Sequence, residues 1–313
     1  RRIRFMRNKF SETLTNIAEE DQRIMLLVGD IGFNVFDSFI DKFPDRFINA
    51  GVAEANMIGT AAGLAMSGFK PIVYTIIPFL IMRTFEQIRV DLCMHNLPVM
   101  LVGVGGGLSY DTLGPTHHAI EDIAIMRALP NMKVISPCDP NEVEWAFKKS
   151  IKKSGPTYFR LGKGGEENLI DQNTSKVKVF DDSTLIEKGR DVLICSTGYI
   201  LKEVLEATKI LNEKNISCTI IHSHMLKPFN DKKITNELNG KKLVVTVEEH
   251  NIIGGVGDII SSVMTETGNT PPLLKLGIND SFVSEIGNRA YQLELNNINA
   301  KSISEKILKK LEI

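Results

Sequence analysis

The sequence predicts an α/β protein made of two three-layer α/β/α domains with mostly parallel sheets. Three observations predict this. Short β-branched apolar runs alternate with longer segments of helical period, the pattern of strands covered on both faces by crossover helices. The chain has 313 residues, enough for about two domains at roughly 150 residues each. The polar stretch EENLIDQNTSKVK separates two such alternating sets and reads as a linker. The expected division is a larger domain over 1–165, a linker over 166–180 and a smaller domain over 181–313.

In the first set the expected strands are IMLLVGD (24–30), KPIVYTII (70–77), PVMLVGV (98–104) and MKVISP (132–137). The expected helices are EANMIGTAAGLAM (54–66), TFEQIRVDLCMHN (84–96), AIEDIAIMRAL (119–129) and PNEVEWAFKKSIKK (140–153), the last ending on a solvated basic face. The second set runs DVLICSTG, LKEVLEATKILNEKN, CTIIHS, KLVVTVEEH and IIGGVGDIISSVM, then a final helix SISEKILKKLEI. GGVGDI (254–259) lacks the full spacing of a dinucleotide loop and reads as a tight helix start.

Composition removes several classes of function. With 37 basic and 38 acidic residues the formal charge is −1, which argues against a broad nucleic-acid surface. No apolar run approaches the roughly 18 residues of a membrane helix. Cys93, Cys138, Cys195 and Cys218 form no CxxC pair and fit buried, reduced thiols of a cytoplasmic protein. The opening RRIRFMRNKF is basic but lacks the apolar core of a signal peptide.

Two stretches could carry chemistry. In FINAGVAEANMIGTAAGLAMSG (47–68) a strand meets a Gly turn and then a helix crowded with small residues, suited to close packing against another element or subunit. Glu54 heads that helix. It either complements the positive end of the helix dipole or is a carboxylate held in a dry interface to exchange a proton with a bound heterocycle. In GGGLSYDTLGPTHHAIED (105–122) three glycines follow a strand and a Gly-Pro turn presents His117 and His118, at the strand end where α/β proteins build sites. His118 reads as a packing residue; His117 reads equally as packing or functional. Glu248, Glu249 and His250 read as a charged rim. His222 and His224 face one side of a strand but lack a third metal ligand at any evident spacing, so no metal-ligating residue is assigned.

GVAEANMIGTAAGLAMSGFKPIV, PFLIMRTFEQIRVD, LGPTHHAIEDIAIMRALPNM and VEEHNIIGGVGD together resemble the carboxyl-terminal section of transketolase, with a similar pattern in deoxyxylulose-phosphate synthase and a looser one in oxo-acid dehydrogenase beta subunits. The resemblance covers nearly the whole chain. It implies a pyrimidine-binding domain, a transketolase C-terminal-like domain and thiamine diphosphate as cofactor. It places Glu54 against N1′ of the aminopyrimidine, where proton sharing leads to loss of the thiazolium C2 proton and attack on a substrate carbonyl. Phe79, and more weakly Phe85, match the aromatic wall of the pyrimidine. Asp30 and Ile31 fall beside the thiazolium ring. His117 matches the histidine facing the sugar oxygens, and Lys163 falls where the family binds substrate phosphate with an arginine; Arg160 is the alternative.

The departures from the family pattern carry expectations of their own. GDIG (29–32) stands in the wrong context for the family's GDG, and the NN that should follow it is missing, since Asn296–Asn297 lie near the C-terminus. The resemblance therefore implies half of a split transferase, an α2β2 heterotetramer with an N-terminal subunit that carries the diphosphate-binding domain and most ligands of Mg2+ or Ca2+. Leu113 replaces an acid before GPTH, with Asp111 two residues earlier, and Gly105–Gly107 replace a polar side chain. A wider, less polar pocket is expected, for a phosphorylated or nucleotide-linked sugar.

Overall fold

The computed structural model describes residues 5–170 and 180–313. The first half supplies strands β1 (Ile24–Val28), β2 (Phe47–Asn49), β3 (Lys70–Ile76), β4 (Met100–Val104), β5 (Lys133–Ile135) and β6 (Thr157–Leu161). The second supplies β7 (Thr184–Glu187), β8 (Val192–Ser196), β9 (Cys218–His222), β10 (Met225–Lys227), β11 (Leu243–Asn251) and β12 (Leu273–Ile278). One sheet has the order β10-β5-β6-β4-β3-β1-β2 and the other β12-β11-β8-β9-β7. Every pairing of these strands is parallel except β10 with β5 and β7 with β9. The predicted α/β class of two mostly parallel sheets is what the chain adopts. A strand from the second half completes the first sheet, so the two domains share a seam.

Helices α1 (Met6–Glu20), α2 (Asp37–Lys42), α3 (Glu54–Met66), α4 (Ile77–Ile81), α5 (Phe85–Gln87, continued by a π-helical stretch over Ile88–Met94), α6 (Asp122–Ala128) and α7 (Pro140–Ser150) cover the first sheet. The second carries α8 (Leu201–Glu213), α9 (Lys232–Leu238), α10 (Val256–Thr267), α11 (Arg289–Leu295) and α12 (Ala300–Lys310). Alternate residues of β1 go to opposite faces, as strand geometry requires. Ile24, Leu26 and Val28 pack under α1 and α7, with Phe10 and Phe147 rings 4.9 Å apart. Met25 and Leu27 join a core that includes Leu193, Ile221 and Val244 of the second sheet.

All four cysteines are buried and none is in a disulfide; burial pushes Cys93 up to about 11 and Cys195 to about 12. Among the described residues no helix is long and apolar enough to cross a membrane. The polar linker expected over 166–180 is tethered at its start. Asp139 Oδ2 accepts the Leu169 and Ile170 N–H groups at 2.9 Å, and Glu166 is buried against the Met6 and Gly164 N–H groups. The rest of it, 171–179, lies outside the described residues.

Candidate active site

The carboxyl ends of five parallel strands reach one edge of the first sheet. Val28 of β1 stands opposite Asn49 of β2 and Tyr74 of β3, Ile76 opposite Val104 of β4, and Val104 opposite Leu161 of β6. Asp30 and Ile31 follow β1, Glu54 follows β2, Phe79 follows β3, His117 lies on the loop after β4, and Lys163 follows β6. Such an edge is where open α/β sheets hold ligands.

Four of these residues join one string of contacts. Glu54 is 2% exposed, and its Oε2 accepts a hydrogen bond from Arg83 Nη1 at 2.6 Å. Among the described residues its Oε1 accepts none. The Arg83 guanidinium lies 4.9 Å from the Phe79 ring centroid. Phe79 meets His117 edge-on at 5.1 Å, and Tyr110 lies 5.8 Å from the same imidazole. Lys163 Nζ sits 5.1 Å from the Tyr110 ring and 3.7 Å from Asp111 Oδ1. Thr116 Oγ1 holds His117 Nδ1 at 2.9 Å. Partial burial, and then the charge of Lys163, hold His117 below the usual imidazole range, so the ring is neutral at neutral pH.

Arg83 and Tyr110 are not among the residues expected from sequence. A signal for Arg83 is present: it lies four residues after Phe79, the spacing that stacks side chains on one helical face. Tyr110 has none, because its place depends on the fold of the glycine loop.

The other candidates stand apart from the string. Asp30 adopts φ 55° and exchanges hydrogen bonds with Asn49 at 3.0 and 3.2 Å, tying the ends of β1 and β2. Ile31 packs toward the α1 side of the sheet and Phe85 into the core beneath α3. Arg160 requires a correction. It is 6% exposed, and its guanidinium is committed to Asp122 at 2.6 and 3.2 Å and to the Ala119 and Glu249 carbonyls at 3.0 and 3.1 Å. These bonds engage Nε and Nη2 and leave only the Nη1 donors, so the fork that would grip a substrate phosphate is already taken up by Asp122.

Two further expectations are corrected. Gly105–Gly107 do not open a wide pocket, because other side chains fill the room they leave. A Cβ at Gly105 would lie 2.1 Å from the Tyr110 ring, one at Gly106 2.8 Å from the Arg160 guanidinium and one at Gly107 2.5 Å from Glu249. Glu248, Glu249 and His250 are not a rim: all three are buried. Glu248 accepts the Val256 and Gly257 N–H groups at the start of α10, and burial pushes it up to about 7. Glu249 accepts from the Leu108 N–H and from Arg289, clamping the glycine loop to the second domain. Leu113 is about half exposed, and Asp111 faces Lys163. His118 is buried, consistent with packing.

The fold and this edge define an α/β protein whose candidate site sits on loops of the first sheet, backed by the second. Residues 5–165 match the pyrimidine-binding domain of transketolase, and residues 182–303 match the transketolase C-terminal domain. The chain is 36% identical over 265 residues to one of the subunits of an apulose-4-phosphate transketolase from Actinobacillus succinogenes, covering 85% of each chain. It is 33% identical to a putative transketolase C-terminal section of Methanocaldococcus jannaschii, covering 98% of this chain and 96% of the other. A solved split-gene transketolase, described as an inactive beta4 tetramer, superposes with a TM-score of 0.86 at 31% identity, covering 97% of each chain. The chain belongs to the transketolase family and corresponds to the C-terminal subunit of its split members.

Proposed function

We propose that this chain is the pyrimidine-binding half of a thiamine diphosphate-dependent transketolase that moves a two-carbon ketol unit between sugar-type substrates when joined to an N-terminal partner. The observation that carries the reading is Glu54: a carboxylate 2% exposed, linked to Phe79 through Arg83, with one oxygen unbonded among the described residues. That oxygen keeps its acceptor capacity at the edge of the site, and a ring N–H is a donor that matches it. The residues present therefore fit the aminopyrimidine.

When bound, thiamine diphosphate supplies a carbon nucleophile and an electron sink for the transferred unit. Glu54 holds the proton shared with the ring, at Oε1. Phe79 presents an apolar face once Arg83 has swung off it, which Arg83's half-exposed position permits. His117, oriented through Nδ1 by Thr116, turns Nε2 to a substrate oxygen as a neutral donor or acceptor. Lys163 is the remaining cation of the string and takes the substrate phosphate. The diphosphate and its Mg2+ or Ca2+ belong to the partner in this reading. The outer face of α3 supports an assembly of two copies of each chain: Gly59 and Gly63 leave open space there, where a second small-residue helix can approach closely.

With the partner supplied, two-carbon transfer from a phosphorylated ketose is expected. Lys163→Ala should raise KM for that donor far more than for its unphosphorylated analogue. Loss of a charge-assisted contact of roughly 1.5–3 kcal/mol corresponds to about a 10- to 150-fold difference. Equal effects on both donors would move the phosphate site elsewhere. Carbon-dioxide release from pyruvate in place of ketol transfer would favour a decarboxylating synthase or an oxo-acid dehydrogenase beta-like chain.

A further inference from the structure

We propose that Cys138, Glu142 and His222 form a structural zinc site that fastens the two domains across their seam. Cys138 and Glu142 flank the start of α7 in the first domain; His222 ends β9 in the second. Their ligand atoms lie within 4.8 Å of one another, and all three residues are at most 1% exposed. A tetrahedral zinc holds sulfur at about 2.3 Å and nitrogen or oxygen at about 2.0–2.2 Å, so closure on the order of 1 Å brings the set into coordination range.

Unused bonding capacity points to a ligand. Glu142 Oε1 is buried and takes no hydrogen bond among the described residues, while Glu142 Oε2 and His222 Nε2 bond each other at 2.8 Å, a contact the zinc replaces. The donor types select the metal: thiolate, imidazole and carboxylate together suit zinc, whereas magnesium and calcium call for oxygen alone. His224 lies beside the set as a fourth donor. Its Nδ1 is 3.4 Å from Glu142 Oε1, and its Nε2 is held by the Phe180 carbonyl at 3.0 Å, the kind of outer contact that orients a ligating imidazole. The backbone already holds the two halves of the site in register. Ser136 N–H donates to the His224 carbonyl at 2.8 Å, and β10 pairs with β5 just before Cys138. Loading releases the Cys138 thiol proton to solvent.

The test uses the full chain expressed with zinc and passed over a chelating resin. Elemental analysis should find stoichiometric zinc, and cobalt exchanged into the site should show a thiolate-to-cobalt charge-transfer band. Cys138→Ser should abolish that band, His222→Gln should lose bound metal, and Cys218→Ser should keep both. A strong chelator should lower Tm of the wild type and leave Cys138→Ser unmoved. A chain that carries no zinc and takes up no cobalt overturns the proposal, as does a thiolate band that survives Cys138→Ser. If that variant does not fold, the wild-type cobalt spectrum decides: a thiolate band supports the site and its absence overturns it.

Discussion

Glu54→Ala, assayed with the partner chain present, is expected to lower turnover by a factor on the order of 10²–10⁴, the range for loss of a positioned acid–base group. The fold should survive. Arg83 loses its partner, but its side chain is 48% exposed and water can take the place of the carboxylate. The expected Tm is therefore close to that of the wild type. A helix-dipole role alone would give a different pattern, costing about 0.3–1 kcal/mol of stability and no turnover. Glu54→Gln tests the same point without changing the volume of the side chain. Unchanged turnover in that variant would make the chain a non-catalytic partner.

Arg160→Met should have its effect on stability. The variant leaves Asp122, at 0% exposed, without its cation; among the described residues only the Tyr158 hydroxyl at 2.7 Å still serves it. Removing one member of a buried ion pair costs about 3–5 kcal/mol. The loss should extend to the seam, because the same guanidinium holds the Ala119 and Glu249 carbonyls. Thermal unfolding of the isolated chain reads the effect directly. A variant with wild-type Tm and a raised KM for phosphorylated donors would restore the phosphate-binding role that the geometry assigns away from Arg160.

Much of this is legible in the sequence, for identifiable reasons. Strands β1, β3, β4 and β5 and helices α3, α7, α8 and α12 follow from local periodicity, and observed boundaries fall within a few residues of those expected, whereas the central strand β6 is not among the expected strands. Helix α1 is masked by its basic residues, although Phe10, Leu14 and Ala18 recur at the spacing of one helical face. The three-residue β10 has no local signal at all, because its partner β5 lies some ninety residues earlier.

The site divides the same way. Glu54, Phe79 and His117 stand in motifs with fixed spacing, and the structure brings them into one string. Which of Arg160 and Lys163 faces outward depends on strand parity and on Asp122, about forty residues away in sequence. Burial of Glu248, Glu249 and His250 depends on the second domain closing over the glycine loop. His222 and His224 lack a third ligand in sequence because Cys138 and Glu142 reach them only across the seam. Contacts over such separations leave no periodic trace in either partner.

In the proposed function this chain provides the pyrimidine half of a cofactor site that a partner completes. Titration calorimetry tests it most directly, with thiamine diphosphate and magnesium added first to the chain alone and then to the chain mixed with its N-terminal partner. The diphosphate carries most of the cofactor's charge and needs a metal with oxygen ligands, whereas the string from Glu54 to His117 offers a carboxylate and aromatic faces. No tight binding to the chain alone is expected, and binding should appear together with activity once the partner is added. Tight binding by the chain alone, with stoichiometric uptake of the metal, would contradict that reading.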